Sequence, residues 1–284
     1  MSRNVLVTGG CGFIGSHIVD ALVKKKYKVT IFDLIKPKRR DVKFIKGSIL
    51  NKSLVKSSLK NINYIFHLAA VSDINKVRNI PSSTIETNVL GTTNLLEACR
   101  KNKIKKFIFA SSVYSYGSSG NLYTTSKTAS ELVIKNYNLL FGLNYTIFRY
   151  TTAYGPRNRG VDAVSIFVKR SLKNLNLIIL GDGSQKRNYL YVKDLAEGSM
   201  IALKDKTKNK IVTLASKKNI TILNLAKIIL KLTKSKSKII FKKKKKRFDD
   251  FTSNYNYNKS KKYLFGWKPK YNIKTGLTEY IGLS

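Results

Sequence analysis

The stretch TGGCGFIG, residues 8–15, places four glycines in eight positions directly after the apolar run VLV. The apolar run predicts a buried strand, and the segment GSHIVDALVKKK that begins at Gly15 predicts an amphipathic helix. A glycine-rich turn between a first strand and a first helix lets the backbone approach a pyrophosphate closely, and the helix N-terminus offers free N–H groups to that anion. The stretch therefore predicts a dinucleotide-binding turn built on Gly9, Gly12 and Gly15.

An acidic residue, Asp33, ends the second predicted strand, KVTIFD, where such a turn is expected to have a ribose-binding acid. A carboxylate there accepts hydrogen bonds from both ribose hydroxyls and repels a 2′-phosphate, so it favours NAD over NADP. The glycine stretch also fits GxGxxG from Gly10, so the bare spacing is permissive. NADP stays open as the alternative, because four basic residues that could host a 2′-phosphate follow closely: Lys36, Lys38, Arg39 and Arg40.

Strand-like and helix-like segments alternate along the first half of the chain. Short apolar runs such as KVTIFD, INYIFHLAA and KKFIFASS are separated by amphipathic segments. This alternation predicts a parallel sheet covered by helices on both faces. We predict an α/β protein with a Rossmann-type doubly wound parallel sheet in residues 1–150. Residues 151–284 are predicted to form a smaller C-terminal α/β substrate domain, one segment of which returns to the sheet.

The net charge is +40, from 55 lysines and arginines against 15 acidic residues. Lysine outnumbers arginine, is spread over nearly every segment and accompanies abundant Asn and Ile, which favours a compositional bias over a nucleic-acid-binding role. The densest basic run, residues 242–246 followed by Arg247, has no interleaved aromatic residues of the kind that nucleic-acid modules use. The field would nevertheless speed the encounter with any anionic ligand.

The sequence excludes several other classes of protein. No apolar run approaches the roughly 18 to 20 residues that a membrane span needs. The two cysteines, Cys11 and Cys99, have neither metal-ligand spacing nor the density of a disulfide scaffold. The strand pattern begins at once after MSRN, which leaves no room for a signal peptide. We therefore expect a soluble cytoplasmic protein without a bound metal.

A tyrosine and a lysine, Tyr123 and Lys127, stand four residues apart at the start of a predicted helix. Residues at this spacing share a helix face, so the ammonium can favour the ionised form of the phenol and make it a usable base. The same spacing occurs in three later Tyr/Lys pairs, which we interpret as surface or packing residues. The pair at Tyr123 differs because it follows a strand that ends in Ala-Ser-Ser, where an open α/β sheet presents residues to a ligand.

Eight segments in order resemble the extended short-chain dehydrogenase/reductases, specifically the NAD-dependent nucleotide-sugar epimerase/dehydratase family. They span nearly the whole chain: TGGCGFIGSHIVDAL, HLAA, ETNVLGTTNLLEAC, FIFASSVYSYG, YTTSK, FRYTTAYGPR, GDGSQKRNYLYVKDLA and LFGWKPKYNIKTGLTEYI. The resemblance implies NAD as cofactor and a nucleotide sugar, of UDP type, as substrate. Family members are commonly dimers, and the helices near residues 88–101 and 126–141 are the expected contact.

The resemblance assigns the residues to roles. Tyr123, Lys127 and Ser112 are the expected catalytic residues, with Ser112 rather than Ser111 bonding the reacting sugar oxygen. Expected cofactor contacts are Gly9, Gly12, Phe13, Ile14, Gly15, Asp33, Ser48, Ile49, Leu68, Ala69, Ala70, Asn88, Tyr123, Lys127 and Tyr150. Expected substrate contacts are Ser112, Thr152, Arg187, Arg247 and Asp250. For Arg247 the rival interpretation is an undirected member of the lysine run.

Two departures from the family pattern bear on the reaction. Dehydratases of the family place an Asp-Glu pair after the catalytic hydroxyl, whereas Val113 and Tyr114 follow Ser112 here. The interval from Ser112 to Tyr123 is also short, which leaves the identity of the sugar open. The expected reaction is epimerisation at C4 of a UDP-glucose/UDP-galactose type substrate through a transient 4-keto sugar. A nucleotide-4-ketosugar reductase is the alternative, and a non-catalytic nucleotide-sensing or nucleic-acid-binding module is the second alternative.

Overall fold

The computed structural model describes residues 3–117, 121–243 and 266–283. Its strands are β1 (Asn4–Thr8), β2 (Lys28–Asp33), β3 (Lys43–Lys46), β4 (Tyr64–His67), β5 (Lys106–Ser112), β6 (Tyr145–Tyr150), β7 (Thr152–Tyr154), β8 (Leu177–Leu180), β9 (Lys186–Arg187), β10 (Tyr189–Tyr191), β11 (Lys210–Leu214), β12 (Ile220–Thr221) and β13 (Ile239–Lys242). Its helices are α1 (Phe13–Lys24), α2 (Lys52–Ser58), α3 (Ile74–Asn79), α4 (Pro81–Ile85), α5 (Gly91–Lys101), α6 (Leu122–Phe141), α7 (Ala163–Leu172), α8 (Val192–Ser199), α9 (Ile222–Thr233) and α10 (Ile273–Gly282). Shorter 3-10 turns lie at Val113–Tyr116, Met200–Leu203 and Asp205–Thr207, and a π-helical turn at Glu86–Leu90.

Within these ranges the central sheet has seven parallel strands in the order β11-β6-β5-β4-β1-β2-β3. The chain winds outward from β1 in both directions, which is the arrangement of a Rossmann-type fold. The predicted fold class is confirmed. Strand β11 comes from the second half of the chain and lies beside β6 at one edge of the sheet.

Apolar residues cover both faces of the sheet, as the continuous apolar runs of the strands require. Successive side chains of a strand point to opposite faces, so Val5 and Val7 pack with α1 and α8 on one face, while Leu6 packs with α2, α5 and α6 on the other. All three side chains are fully buried. This two-sided burial fixes the carboxyl ends of β1, β2, β4 and β5 side by side at one edge.

The second half of the chain has its own apolar cluster. Helices α7, α9 and α10 pack there around β8 and the aromatic side chains of β7 and β10, with Phe167, Ile229 and Leu277 at its centre. Strand β7 pairs with β10, and β8 pairs with β13. None of the helices in the described ranges combines the length and the apolar character that crossing a membrane requires.

A fully buried histidine, His67, ends β4 and acts as a structural link. One ring nitrogen contacts the Thr8 hydroxyl at 2.7 Å and the other contacts the Thr92 hydroxyl at 2.9 Å. Burial, with a contribution from the charge of Lys127, lowers the pKa of His67 to about 3. The ring therefore stays neutral in the folded state, whereas in the unfolded chain it titrates near pH 6.5.

This difference predicts a loss of stability in acid. The unfolded state binds a proton that the folded state does not, so the contribution of His67 is complete above pH 6.5 and falls as the pH drops towards 3. Between pH 7.5 and 4.5 we expect a loss of about 2 to 3 kcal/mol in the free energy of unfolding from this residue. Urea unfolding of wild type and of His67→Gln at both pH values measures it. An equal acid loss in the two proteins would contradict the prediction.

Candidate functional site

The glycine-rich turn lies where β1 ends. The Gly9 N–H donates to the Phe32 carbonyl oxygen at 3.0 Å, and the Gly12 N–H donates to the Gly9 carbonyl oxygen at 3.1 Å. Gly9 has a φ of +69°, in the left-handed region that side chains rarely adopt. A Cβ on Gly9 would stand 2.6 Å from the Ala69 nitrogen, and a Cβ on Gly15 would stand 2.1 Å from the Gly9 carbonyl oxygen. The turn therefore requires glycine at both positions.

Helix α1 begins directly after this turn with an open N-terminus. Its N-cap is Gly12, which has no side chain to bond the first N–H groups, and the first turn of the helix carries no acidic residue. These N–H groups and the helix dipole favour an anion at this point. The turn thus has the free donors and the lack of side chains that a pyrophosphate needs, as the glycine spacing predicts.

Asp33, at the end of β2, supports the turn from the side. Its Oδ2 accepts a hydrogen bond from the Cys11 N–H at 2.9 Å and its Oδ1 accepts one from the Ile35 N–H at 3.1 Å. Each carboxylate oxygen keeps capacity for a further donor. Burial, together with the nearby charge of Asp33 and a hydrogen bond to it, raises the pKa of the Cys11 thiol to about 11. The residues present fit an adenosine ribose beside the turn.

Arg39, one of the four basic residues that kept NADP open, is already held by two acids. Its Nε and Nη2 donate to the two carboxylate oxygens of Asp41 at 2.7 and 2.6 Å, and its Nη1 donates to Asp20 at 2.7 Å. Asp20 also pairs with Arg157 at 2.5 Å. A guanidinium engaged in this way has fewer donors left for a 2′-phosphate. This arrangement therefore favours NAD over NADP, as Asp33 also does.

Releasing this arginine should weaken the preference for NAD. In the double variant Asp20→Asn/Asp41→Asn we expect the ratio of the NADP and NAD dissociation constants to fall by about tenfold, because a freed arginine can bond a 2′-phosphate. Asp41→Asn alone should give a smaller change. Calorimetric titration with both dinucleotides measures the ratio. Glu97→Gln, which frees Arg100 on α5, is the matched control and should leave it unchanged; an unchanged ratio in the double variant would refute the interpretation.

The other predicted cofactor contacts in loops and in the first turn of α1 come from three places in the chain. Leu68, Ala69 and Ala70 follow β4 directly beside Gly9. Ser48 lies in the loop after β3, where its hydroxyl accepts a hydrogen bond from the Leu50 N–H at 3.2 Å. Phe13 and Ile14, like Gly15, belong to the first turn of α1.

Three of the predicted contacts have side chains that are buried or hydrogen-bonded within the protein. Ile49 is buried and would touch a Cβ at Gly91. The Tyr150 phenol lies in the core, 2.8 Å from the Ser199 hydroxyl on α8. Asn88, in the π-helical turn, accepts from the Val71 N–H at 2.8 Å and donates to the Val71 carbonyl at 3.0 Å.

The Asn88 amide also donates to the Ser126 hydroxyl at 2.9 Å. Asn88 therefore joins the loop after β4 to the helix that carries Tyr123. The side chains of Ile49, Tyr150 and Asn88 are packed against or hydrogen-bonded to other parts of the protein. Their contacts with a cofactor stay a prediction.

Tyr123 lies in the first turn of α6. The helix begins there because Asn121 caps it, its Oδ1 accepting from the Thr124 N–H at 2.9 Å. The Ser112 hydroxyl, at the end of β5, lies close enough to the Tyr123 phenol to lower its pKa. Ser111 instead donates to Glu131 at 2.5 Å. The structure thus brings Ser112, and not Ser111, to Tyr123.

Lys127 lies one turn further along α6 and is buried. Its Nζ donates to the Ala110 carbonyl at 2.8 Å and lies 4.6 Å from the centre of the Phe109 ring and 5.9 Å from that of Tyr123. Burial lowers the pKa of Lys127 to about 7, against the opposing charge of Glu131. The pair Tyr123 and Lys127 therefore shares one face of α6, as the spacing predicts.

The pKa of Tyr123 departs from the value that its predicted role as a base needs. Burial, with a smaller contribution from Tyr114, raises it to about 12, against the opposing effect of the Ser112 hydroxyl. A base of this kind needs a cation nearby to ionise at neutral pH. Lys127 can supply that charge only while its amine is protonated.

The predicted substrate residues are partly described. Thr152 begins β7, and its N–H donates to the Asn188 carbonyl at 3.2 Å. Arg187 forms β9 with Lys186, and its charge reaches Tyr189, whose pKa burial raises and Arg187 lowers. Tyr114 raises the pKa of both Tyr189 and Tyr123, so it lies near both side chains. Arg247 and Asp250 lie outside the described residues.

Two side chains near Tyr123 and Lys127 were missed at the level of sequence. Glu131 and Arg149 form a buried ion pair, with Nη2 of the arginine 2.6 Å from the glutamate. The position of Glu131, four residues after Lys127, was the available signal, because it places a carboxylate on the same helix face. Its partner on β6 could not be found from spacing.

Comparisons with known proteins agree with this geometry. A protein of Methanocaldococcus jannaschii with the provisional name UDP-glucose 4-epimerase is 35% identical over 98% of this chain and 97% of its own length. The UDP-N-acetyl-alpha-D-glucosaminuronate decarboxylase of Bacillus cytotoxicus is 34% identical over 84% of this chain and 83% of its own length. The crystal structure of the Thermotoga maritima UDP-glucose 4-epimerase with UDP-glucose matches with a TM-score of 0.90 and 31% identity, covering 98% of this chain and 97% of that one.

The sequence profile of the NAD dependent epimerase/dehydratase family matches residues 5–215, which include the glycine-rich turn, Asp33 and the Tyr123/Lys127 pair. The resemblance predicted from the motifs and the choice of NAD as cofactor are confirmed. The chain belongs to the NAD-dependent epimerase/dehydratase family of enzymes that act on nucleotide sugars.

Proposed function

We propose that this protein interconverts the C4 epimers of a nucleotide sugar of the UDP-glucose/UDP-galactose type through a transient 4-keto sugar. The observation that carries the proposal is the contact of the Ser112 hydroxyl with the Tyr123 phenol, one helical turn from the buried amine of Lys127. This group lies at the end of β5, at the edge of the sheet where the glycine-rich turn ends β1.

The residues that would hold NAD are the glycine-rich turn with the open N-terminus of α1, and Asp33 for the adenosine ribose. When bound, NAD supplies the acceptor and donor of the hydride at C4. Lys127 is expected to bond the nicotinamide ribose as well as to act on Tyr123. The fit rests on the space that a Cβ would fill at Gly9 and Gly15 and on the uncapped N–H groups of α1.

Tyr123 and Ser112 handle the proton. As phenolate, Tyr123 takes the proton of the C4 hydroxyl while the hydrogen on C4 leaves as hydride, so the sugar becomes a 4-ketone. The hydride carries the two electrons of the C–H bond, so they stay in the active site until the hydride returns. Ser112 bonds the same sugar oxygen and fixes its position. After the 4-keto sugar has rotated in the pocket, hydride returns to the opposite face of C4 and Tyr123 gives its proton back. General acid–base catalysis of this kind contributes about 10² to 10⁴ in rate.

Arginine side chains are proposed to bind the diphosphate of the substrate. Arg187 on β9 lies near enough to Tyr189 to lower its pKa, and its planar guanidinium can make paired hydrogen bonds to phosphate oxygens. Arg247 and Asp250 are proposed to bond the phosphate and the uridine ribose, and Thr152 to donate to a phosphate or sugar oxygen. A fixed diphosphate lets the sugar rotate about one end of the substrate.

The residues after Ser112 favour epimerisation over loss of water or carboxylate. Val113 is buried, and the groups that act on Tyr123 are Tyr114 and Ser112, neither of them a carboxylate. The relatives include dehydratases and a decarboxylase, which need further acid and base groups at the sugar. The proposed reaction needs one proton-transfer group, and Tyr123 is that group.

The experiment is incubation of the purified protein with UDP-galactose, with and without added NAD, followed by separation of the sugar nucleotides. UDP-glucose formed without net NADH supports epimerisation. Stoichiometric oxidation of a reduced cofactor with a 4-keto sugar nucleotide would show the reductase instead. No turnover with UDP-galactose, its N-acetyl or its uronic acid analogue, together with salt-sensitive binding of RNA or DNA, would overturn the proposal in favour of a binding module.

We also propose a homodimer formed through α6. The helix exposes 54% of Leu132, 79% of Leu139 and 72% of Leu140. Exposed apolar side chains that gather on one surface mark interaction sites, and α6 is one of the two helices expected to form the contact.

The double variant Leu132→Glu/Leu139→Glu should convert dimers to monomers. Light scattering after size exclusion measures the mass. Leu175→Glu, at a leucine exposed to 47% in the second half of the chain, is the matched control and should leave the mass unchanged. Equal masses for wild type and the double variant would contradict the predicted interface.

A further inference from the structure

A buried carboxylate with no role in the proposed reaction lies on the helix of Tyr123 and Lys127. The side chain of Glu131 is 2% exposed. Its Oε1 accepts from the Ser111 hydroxyl at 2.5 Å and from Arg149 Nε at 3.0 Å, and its Oε2 accepts from Arg149 Nη2 at 2.6 Å. A buried charge is costly unless it is paired and hydrogen-bonded. Three donors from two side chains hold this carboxylate in place.

The position of Glu131 relative to Lys127 gives the ion pair a second effect. Residues four apart on a helix are neighbours on one face, and the negative charge of Glu131 acts on the amine of Lys127. The amine itself donates to the Ala110 carbonyl and lies over the Phe109 ring. Glu131 is the acid that opposes its loss of charge in the described part of the chain.

Strand β5 supplies the Ala110 carbonyl and the Phe109 ring at the amine of Lys127. The titratable and charged groups near Lys127 or its neighbour Glu131 come from four other elements. Tyr123 and Glu131 belong to α6, and His67 on β4 stays neutral because its pKa is about 3. From β6 come Arg149 and Tyr145, and from the 3-10 turn after β5 comes Tyr116, whose ring lies 4.3 Å from the Arg149 guanidinium and whose hydroxyl bonds Thr213 on β11. Arg149 is the other charged group of this cluster, and its guanidinium makes a bidentate bond to Glu131.

We propose that Glu131 is a positioning residue for the proposed reaction: held by Arg149 and Ser111, it keeps the positive charge on Lys127 and thereby favours the phenolate of Tyr123. The inference rests on the proposed function, because it assigns Glu131 a part in the same proton transfer. Glu131 does not touch the sugar or the cofactor.

The chemistry follows from counting protons on Tyr123 and Lys127 together. When the pair has lost one proton, that proton is missing either from the phenol, leaving phenolate and ammonium, or from the ammonium, leaving phenol and amine. These two forms have the same proton count, so pH cannot choose between them. A fixed negative charge beside the amine can, because it favours the ammonium. Only the form with the phenolate is reactive.

Glu131→Gln therefore has a signature that a structural role alone does not give. Without the carboxylate the pair loses its first proton at lower pH, so the acidic limb of the pH dependence of kcat should move down by about one pH unit. The plateau of kcat should fall by up to about tenfold, because less of the pair is then phenolate. A purely structural change lowers the plateau and leaves the limb in place. Glu131→Asp should restore part of both.

Two matched controls separate charge from hydrogen bonding. Ser111→Ala removes a donor from Glu131 but keeps its charge, so the limb should stay where it is in wild type. Glu97→Gln breaks an exposed glutamate–arginine pair on α5 and should change neither limb nor plateau. If Glu131→Gln fails to fold because Arg149 is left buried without its partner, Glu131→Gln/Arg149→Met removes both charges together, and the same limb shift is expected.

A second readout needs no sugar turnover. The protons exchanged when NAD binds, obtained from calorimetric heats in two buffers of different ionisation enthalpy between pH 5.5 and 9, should be largest near the pKa of Lys127, about 7. The maximum should move down by about one pH unit in Glu131→Gln and vanish in Lys127→Met.

The two readouts distinguish the two failures. A shifted maximum without turnover of any sugar nucleotide rejects the proposed function and keeps the coupling of Glu131 to Lys127. An unchanged limb and an unchanged maximum in a folded Glu131→Gln variant overturn this inference whether or not the enzyme is active.

Discussion

Replacement of Tyr123 by phenylalanine is expected to lower kcat for the nucleotide sugar by about a thousandfold or more while leaving the NAD dissociation constant within about twofold of wild type. The phenylalanine ring fills the same space at the start of α6 but has no oxygen to take the proton of the C4 hydroxyl.

The measurement is steady-state epimerisation of UDP-galactose, with calorimetric titration of NAD on the same preparations. Tyr114→Phe is the matched control, since Tyr114 acts on the pKa of Tyr123 but is not expected to transfer the proton. It should retain most of the turnover. Activity of Tyr123→Phe near that of wild type would show that the base has been assigned to the wrong residue.

The pH dependence of this reaction depends on Lys127 as much as on Tyr123. The sequence indicates an ammonium beneath a phenol, but burial takes the pKa of the lysine to about 7. Spacing along a helix reveals that two residues share a face. It does not reveal how much water the surrounding elements exclude, and that quantity sets the charge on the lysine.

Local features of the site were predictable from the sequence. The turn at Gly9 to Gly15, the acid at the end of β2 and the tyrosine at the start of α6 each depend on neighbours within a few positions. The structure places all three at the carboxyl edge of the sheet, and the family is confirmed. Apolar runs also predicted the parallel sheet, because strands that are buried on both faces have nearly continuous apolar sequences.

Contacts between distant segments were not predictable in the same way. Arg39 reaches Asp20 across 19 positions, and Arg149 reaches Glu131 across 18. Each pairing depends on which face of a helix packs towards the sheet and on where a strand ends relative to that helix. Arg39 therefore read as a possible host for a 2′-phosphate, and Glu131 carried no visible role.

Substitution of Gly15 by alanine is the second large effect that we expect. The free energy of unfolding should fall by about 2 to 4 kcal/mol, and the NAD dissociation constant should rise by at least about a hundredfold. Helix propensity alone predicts the opposite sign, since alanine in a helix is about 1 kcal/mol more favourable than glycine. The contacts decide between the two: the added Cβ would lie 2.1 Å from the Gly9 carbonyl oxygen and 3.0 Å from the Gly10 Cα, all backbone atoms of the turn.

Gly276→Ala in α10 is the matched control for this prediction, measured by urea unfolding and by calorimetric titration of NAD. Its Cβ would also lie 2.1 Å from an oxygen, but that oxygen is the hydroxyl of the buried Tyr154 in the second half of the chain. It should lose stability while keeping its affinity for NAD. Gly12→Ala, whose Cβ meets a single atom at 3.2 Å, should fall between Gly15→Ala and wild type in affinity. If Gly15→Ala bound NAD as tightly as Gly276→Ala does, the close approach of backbone to pyrophosphate at this turn would be refuted, because overlap with the Gly9 carbonyl can be relieved only by opening the turn that forms the site.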